Sequence, residues 1–197
     1  MSLVLASKSF GRRAMLENAG LVFAVDAANV DEDAVKEALK AEGAPVARAA
    51  EALAELKARR VSARQAGAVV LGADSMLECN GRWFDKAQTM DQAREQLLAL
   101  RGLTHSLVTS AVLVRDEARI WHHTAVARMT MRRFSDGFLD DYLEAIGDAA
   151  LSSVGCYQVE GRGLQLFSAI EGDFYAIVGL PMVAVLEQLR VLGELPS

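Results

Sequence analysis

The run Ala68-Val69-Val70-Leu71-Gly72-Ala73-Asp74-Ser75-Met76-Leu77 constrains the fold most, because a nearly continuous apolar stretch of this length suits a central strand buried on both faces. One carboxylate interrupts it. An isolated Asp74 in such a strand is costly and must take up a proton or find a partner. A carboxylate at the end of a buried strand is a candidate metal ligand or general base, and the competing reading is a turn-forming Asp-Ser. Gly72 carries no side chain, so a ligand or another backbone can approach closely beside it.

Around this run, strand and helix patterns alternate without a low-complexity linker or internal repeat, which favours one continuous domain over residues 1–197. Val46, Ala49, Ala50, Leu53 and Leu56 follow helical spacing, and Pro45 to Arg60 reads as a long helix with a first-turn proline. Lys57 falls on the edge of that stripe, where it either snorkels outward or points into a cleft as a phosphate ligand. Thr89-Met90-Asp91-Gln92 has the form of a capping box opening a helix that ends at Gly102. A strand pair follows, Ser106 to Val114 and Ile120 to Met131, turning around Arg115-Asp116-Glu117. The adjacent His122 and His123 point to opposite faces of their strand and do not form a joint metal site. Ser135 caps a further helix, and the last helix starts at Pro181.

The amino terminus has the outline of an anion site. Leu3 to Leu5 breaks into Ala6-Ser7-Lys8-Ser9-Phe10-Gly11-Arg12-Arg13 before a helix-like segment, Ala14 to Ala19. Hydroxyls, an ammonium and two guanidiniums thus meet where a strand hands over to a helix, whose free N–H groups favour phosphate. The bland reading is a solvated basic turn.

Composition narrows the ligand. With 21 Lys+Arg against 26 Asp+Glu the formal charge is −5, which argues against a nucleic-acid polymer and toward a small anion at the local cationic cluster. The two cysteines, Cys79 and Cys156, have no neighbours at metal-ligand spacing and read as reduced structural thiols. No apolar run approaches the ~18 residues of a membrane span, and the expected location is the cytoplasm. Gly155-Cys156-Tyr157-Gln158-Val159-Glu160-Gly161-Arg162-Gly163, followed by strand-like Leu164 to Ile170, is neither a P-loop nor a dinucleotide fingerprint. No nucleophile elbow is present either.

Taken in order, these segments resemble the Maf family of septum-formation-associated nucleotide pyrophosphatases almost end to end. Ala6 to Arg13 is similar to that family's A-S-x-S-P-R-R, Val30-Asp31-Glu32 to V-D-E, and Leu53-Ala54-Glu55-Leu56-Lys57-Ala58 to L-A-x-x-K-A. Leu71-Gly72-Ala73-Asp74-Ser75 resembles G-A-D-T, Lys86 falls at G-K-P, Glu160-Gly161-Arg162-Gly163 at Q-G-R-G, and Val178-Gly179-Leu180-Pro181 at V-G-L-P.

The resemblance implies an α/β fold with a strongly twisted mixed sheet, flanking helices and two lobes around a cleft, similar to inosine-triphosphate pyrophosphatases. It implies hydrolysis of a nucleoside triphosphate to the monophosphate and pyrophosphate, assisted by a divalent cation, Mg2+ or Mn2+, in a homodimer. By position, Asp74 would accept the proton of the attacking water and, with Glu32, hold the metal. Ser9, Arg12, Arg13, Lys57 and Lys86 would bind the phosphates, and Glu160 would face the substrate. Three departures stand out: Phe10-Gly11 replaces one proline, Glu160 replaces glutamine, and Ala87 follows Lys86. The first two are similar to the branch acting on 7-methyl-GTP. The reading from another class is a non-catalytic nucleotide-binding regulator of cell division.

Overall fold

In the computed structural model, which describes residues 2–196, the apolar run becomes β3 (Val69–Cys79), the middle of a seven-stranded mixed sheet. The main order is β2–β1–β3–β5–β6–β7, with β1 at Leu3–Leu5, β2 at Phe23–Val25, β5 at Thr104–Arg115, β6 at Ala118–Met131 and β7 at Phe167–Glu171. Parallel pairing joins β1 to β2 and β3, and antiparallel pairing joins β3 to β5, β5 to β6 and β6 to β7. The β5–β6 hairpin turns through Asp116 (φ 48°) and Glu117 (φ 62°), the left-handed pair that a two-residue turn between twisted strands requires.

Helices cover both faces, which is why β3 is apolar on both sides. On one face α3 (Val46–Ser62) lays Ala54, Ala58 and Val61 against Val70 and Val112, and α2 (Glu32–Ala41) adds Leu39 beside Met76 and Val108. The other face has two separate cores. One gathers Leu5, Leu71 and Leu113 under α1 (Phe10–Asn18) and α7 (Met182–Val191). The second gathers Leu77, Leu107 and Met129 under α4 (Met90–Leu100) and α5 (Asp136–Ile146). Among the described residues no helix is long and apolar enough to cross a membrane.

Local chemistry accounts for several boundaries. Ser9 caps α1, its Oγ accepting from Arg12 N at 3.4 Å, so that helix starts at Phe10 and takes both arginines into its first turn, earlier than the expected Ala14. Thr89 Oγ1 accepts from Gln92 N, but Gln92 Oε1 reaches back to Gln88 N, one residue before the position of a reciprocal box. Pro45 and Pro181 occupy capping positions just outside α3 and α7. Residues 162–166 form a 3₁₀ turn, so the strand expected from Leu164 begins only at Phe167. His122 and His123 do face opposite ways: His122 lies 3.8 Å from Glu51, while His123 stacks on Trp121.

A gap in one edge of β3 positions the site. Because β5 occupies the other edge from Val70 to Glu78, β1 and β4 (Arg82–Phe84) must share this one. The β1 pairing ends at Leu71 and the β4 pairing begins at Leu77. β1 runs parallel to β3 and β4 antiparallel, so the carboxyl ends of both point into the interval between. The chain leaving β1 carries Ser7, Ser9 and Arg12, and the chain leaving β4 carries Asp85 and Lys86.

Candidate active site

Gly72 sets the distance between the two elements that carry the central ion pair. A Cβ there would collide with the Ala54 carbonyl oxygen and lie 2.9 Å from Ala58 Cβ, so the backbone of α3 fills the space that a ligand was also expected to suit. Two residues along β3 on the same face is Asp74, and one turn from Ala54 is Lys57. Lys57 Nζ lies 2.6 Å from Asp74 Oδ1 and 2.9 Å from Glu32 Oε1, with Lys57 and Asp74 only 8% and 6% exposed. Lys57 therefore points inward, and Asp74 has its partner. Glu32 is the first residue of α2, whose N-cap Asp31 accepts from Ala34 N.

Arg12 closes the gap from the β1 side and is 9% exposed. Its Nε donates to Gly179 O (2.9 Å), Nη1 to Ala73 O (2.9 Å) and Ser7 Oγ (3.4 Å), and Nη2 to Ser75 Oγ (3.2 Å). Ser75 is in turn hydrogen-bonded to the Thr109 hydroxyl at 2.9 Å. A guanidinium has five N–H donors, so this one ties β1, β3 and the α6 (Phe174–Val178) to α7 connection together and keeps one donor free. Gly179, at φ 133°, has the conformation that lets its carbonyl meet Arg12.

Charges reinforce one another here. Burial lowers the Arg12 pKa, while Asp74 and Glu32 oppose that shift. Burial works to raise the Glu32 pKa, but Lys57, by charge and hydrogen bond, together with Lys36 and Lys86, holds it below the ordinary carboxylate value. Desolvation first, then repulsion from Arg12 and Lys57, lowers the Lys86 pKa against the pull of Glu32 and Asp74. Among the described residues the Lys86 ammonium is in no ion pair, so the cluster retains an unneutralised cation at its mouth.

Asp74, Glu32, Lys57, Arg12 and Lys86 are thus brought together from five separate segments. Ser9 is beside them as the cap of α1. Arg13 diverges from Arg12: it is exposed and pairs with Glu17 at 2.7 Å, one turn along α1. Glu160 is exposed in the turn before the 162–166 segment and makes no hydrogen bond among the described residues. Two of the glycines around it, Gly155 and Gly163, serve packing, since a Cβ on Gly155 would lie 2.5 Å from the Tyr157 ring and one on Gly163 2.5 Å from Gln158 O. Lys36 and Asp85, paired at 2.6 Å, also belong to this neighbourhood and escape a motif-based reading. Their only signals are the spacing Glu32-x-x-x-Lys36 and the adjacency of Asp85 to Lys86.

Residues 2–192 match the family described as Maf-like protein. A nucleoside triphosphate pyrophosphatase of Paramagnetospirillum magneticum is 56% identical over 192 residues, covering 98% of this chain and 99% of that protein. A 7-methyl-GTP pyrophosphatase of Rhizobium meliloti is 47% identical over 195 residues, covering 99% and 98%. The solved nucleoside-triphosphatase, a dITP/XTP pyrophosphatase, of Mycobacterium abscessus superposes with a TM-score of 0.40 at 18% identity, over 68% of this chain and 74% of that one, too distant to inform the site.

Proposed function

Because the chain belongs to the Maf family, we propose that its site hydrolyses a nucleoside triphosphate to the monophosphate and pyrophosphate by attack of water at the α-phosphorus. The observation that supports this most is the buried Lys57 ammonium between Asp74 and Glu32, beside Arg12 and Lys86. Phosphoryl transfer depends mainly on positioning and charge neutralisation, and this site supplies both from a rigid frame. With Oδ1 held by Lys57, Oδ2 of Asp74 is the atom that accepts the water's proton. The free Arg12 donor, Lys86 and Lys57 bind the phosphates and neutralise the leaving pyrophosphate. Ser9 lies at the start of α1, whose N–H groups favour an anion, and Arg13 joins only by leaving Glu17.

A magnesium or manganese ion fits this donor set. Such ions prefer carboxylate oxygen, and magnesium is commonly held by one or two carboxylates with substrate phosphates completing the shell. Glu32 and Asp74 would hold it; among the described residues no group of three or more His, Cys, Asp or Glu side chains could do so alone. When bound, the ion would add positive charge against the phosphate oxygens. The assembly expected from family resemblance is a homodimer, which light scattering on the purified chain measures directly.

Turnover in oxygen-18 water with magnesium or manganese tests the bond choice. Label in the nucleoside monophosphate, with pyrophosphate released, is the expected result. Label in orthophosphate would make the enzyme a γ-phosphatase, and binding without release across a nucleotide panel would return the non-catalytic regulator.

A further inference from the structure

Helix α2 is thinly attached, since Leu39 is its single buried residue, yet it carries Glu32 into the site. Two ion pairs fasten it. Glu32 reaches Lys57 at 2.9 Å, and one turn later, on the same side of the helix, Lys36 Nζ lies 2.6 Å from Asp85 Oδ1. The Lys36 side chain is 13% exposed and that of Asp85 46%, so the ammonium is largely enclosed where it meets the carboxylate. On the other side, Gln96 Nε2 of α4 donates to the Asp85 carbonyl oxygen at 2.9 Å. Asp85 is therefore gripped twice, by its side chain from α2 and by its backbone from α4. The next residue is Lys86, which is in no ion pair among the described residues.

We propose that Lys36 is a positioning residue, which through Asp85 fixes the strand end that presents the Lys86 ammonium to the polyphosphate. This rests on the reading of the cluster as a phosphate site. Direct contact with phosphate is assigned to Lys86 rather than to Lys36, because Lys36 holds Asp85 and that pair adds no net charge, and the variants below separate the two roles. Loss of the pair frees Asp85 to turn outward and lets Lys86 sample many positions, while Glu32 keeps its own anchor on Lys57 at 2.9 Å, so the loss is felt through Lys86.

Calorimetric binding of inorganic pyrophosphate with magnesium, read beside kcat and KM for the triphosphate, tests this on the full chain. Lys36→Met and Asp85→Asn should each weaken pyrophosphate binding about tenfold. Both effects should shrink to less than about twofold in a Lys86→Met background, as they must if they act through that residue. The exchanged pair, Lys36→Asp with Asp85→Lys, should recover most of the loss at unchanged thermal midpoint, a recovery that direct contact does not produce. Equal losses with and without Lys86, a neutral Asp85→Asn beside a damaging Lys36→Met, or a wild type that does not bind pyrophosphate would each overturn the proposal. A wild type that binds pyrophosphate but turns over no nucleotide would refute the hydrolase reading and leave this cycle to be judged on binding.

Discussion

Lys57 Nζ stands 2.6 Å from Asp74 Oδ1, buried, on a helix held at backbone contact with the strand that carries Asp74. Two consequences follow from so short a tether. One oxygen of Asp74 is oriented by a charge-assisted hydrogen bond and the other has no hydrogen-bond partner among the described residues. The position of both groups depends on how closely α3 approaches β3.

Asp74→Asn should abolish most turnover while the fold and nucleotide binding persist. The amide keeps an acceptor oxygen for Lys57 but cannot take the water's proton. Removal of a general base usually costs about 10²–10⁴-fold. Steady-state kinetics on the folded variant decide the matter: retention of more than about a tenth of wild-type kcat would remove Asp74 from that role.

Gly72→Ala should harm catalysis beyond its effect on stability. The added methyl meets the Ala54 carbonyl and Ala58, which are backbone and helix rather than a flexible side-chain end. Overpacking of this kind costs about 1–3 kcal/mol, and the relief available is a shift of α3 that carries Lys57 away from Asp74. The expected pattern is a folded protein with a lowered thermal midpoint and a kcat reduced at least tenfold, roughly the scale of misplacing a reacting group by a fraction of an ångström. A variant with unchanged kcat would show that α3 moves without disturbing the pair.

How legible all this is from sequence depends on what holds each element. β3 and α3 are readable because their packing is apolar and periodic, whereas Lys57 sits on the edge of that period, which leaves its direction open, and only the family resemblance points it inward. Thr89 and Ser135 announce α4 and α5 by cap chemistry. The helix α2 carries an apolar stripe at helical spacing, Val35, Ala38 and Leu39, that the motifs of the chain do not point to, and the ion pairs that bring it to the site join partners remote in sequence and leave no local signal. The three-residue β2 and β4 are too short to carry a pattern. Within the site, chemistry separates from neighbourhood: Arg12 and Arg13 are adjacent in sequence, yet successive positions on a helix diverge, and only one enters the frame.

That divergence predicts opposite mutational behaviour. Arg12→Met leaves the Gly179 and Ala73 carbonyls without a donor in a buried setting, at a cost of roughly 2–5 kcal/mol. Arg12→Lys should rescue little, because one ammonium cannot span Gly179, Ala73 and Ser75 at once. Arg13→Ala removes an exposed pair and should change stability by less than about 0.5 kcal/mol. Its KM should rise less than about threefold; a larger rise would mean that Arg13 leaves Glu17 for the substrate. Urea unfolding and kinetics on the three proteins separate these outcomes.

His105 gives the fold an acid limit distant from the ion pairs of the site. It is 2% exposed, with Nε2 2.8 Å from the Tyr157 hydroxyl, and Nδ1 has no partner among the described residues. Burial lowers its pKa from 6.5 to about 4. Between those values the unfolded chain takes up a proton that the folded chain refuses, so stability is full above the upper value and falls as pH drops toward the lower one. The difference corresponds to roughly 3 kcal/mol. His105→Phe should be less stable at neutral pH, since the Tyr157 hydroxyl keeps only its 3.5 Å hydrogen bond to the Met129 sulfur, but should lack this part of the pH slope. Parallel slopes for the two proteins between pH 6.5 and 4 would show that other groups set the acid limit.

Substrate choice is expected to turn on Glu160, which is exposed and without a hydrogen-bond partner among the described residues. A carboxylate only accepts hydrogen bonds. Guanine offers N1–H and N2–H₂ side by side, a donor edge that a carboxylate meets with both oxygens, and a methyl at N7 adds a positive charge that it also favours. Thymine and uracil offer one donor between two acceptors, a pattern suited to glutamine. The wild type should therefore prefer a guanine or 7-methylguanine triphosphate over dTTP and UTP, and Glu160→Gln should narrow the gap by weakening the former. Exchange of a charged for a neutral hydrogen bond places the change at about 1–3 kcal/mol in relative kcat/KM. Side-by-side kinetics on both proteins measure it. A wild type that already favours UTP, or a variant whose preference is unchanged, would show that Glu160 does not read the base and that selection lies elsewhere in the cleft.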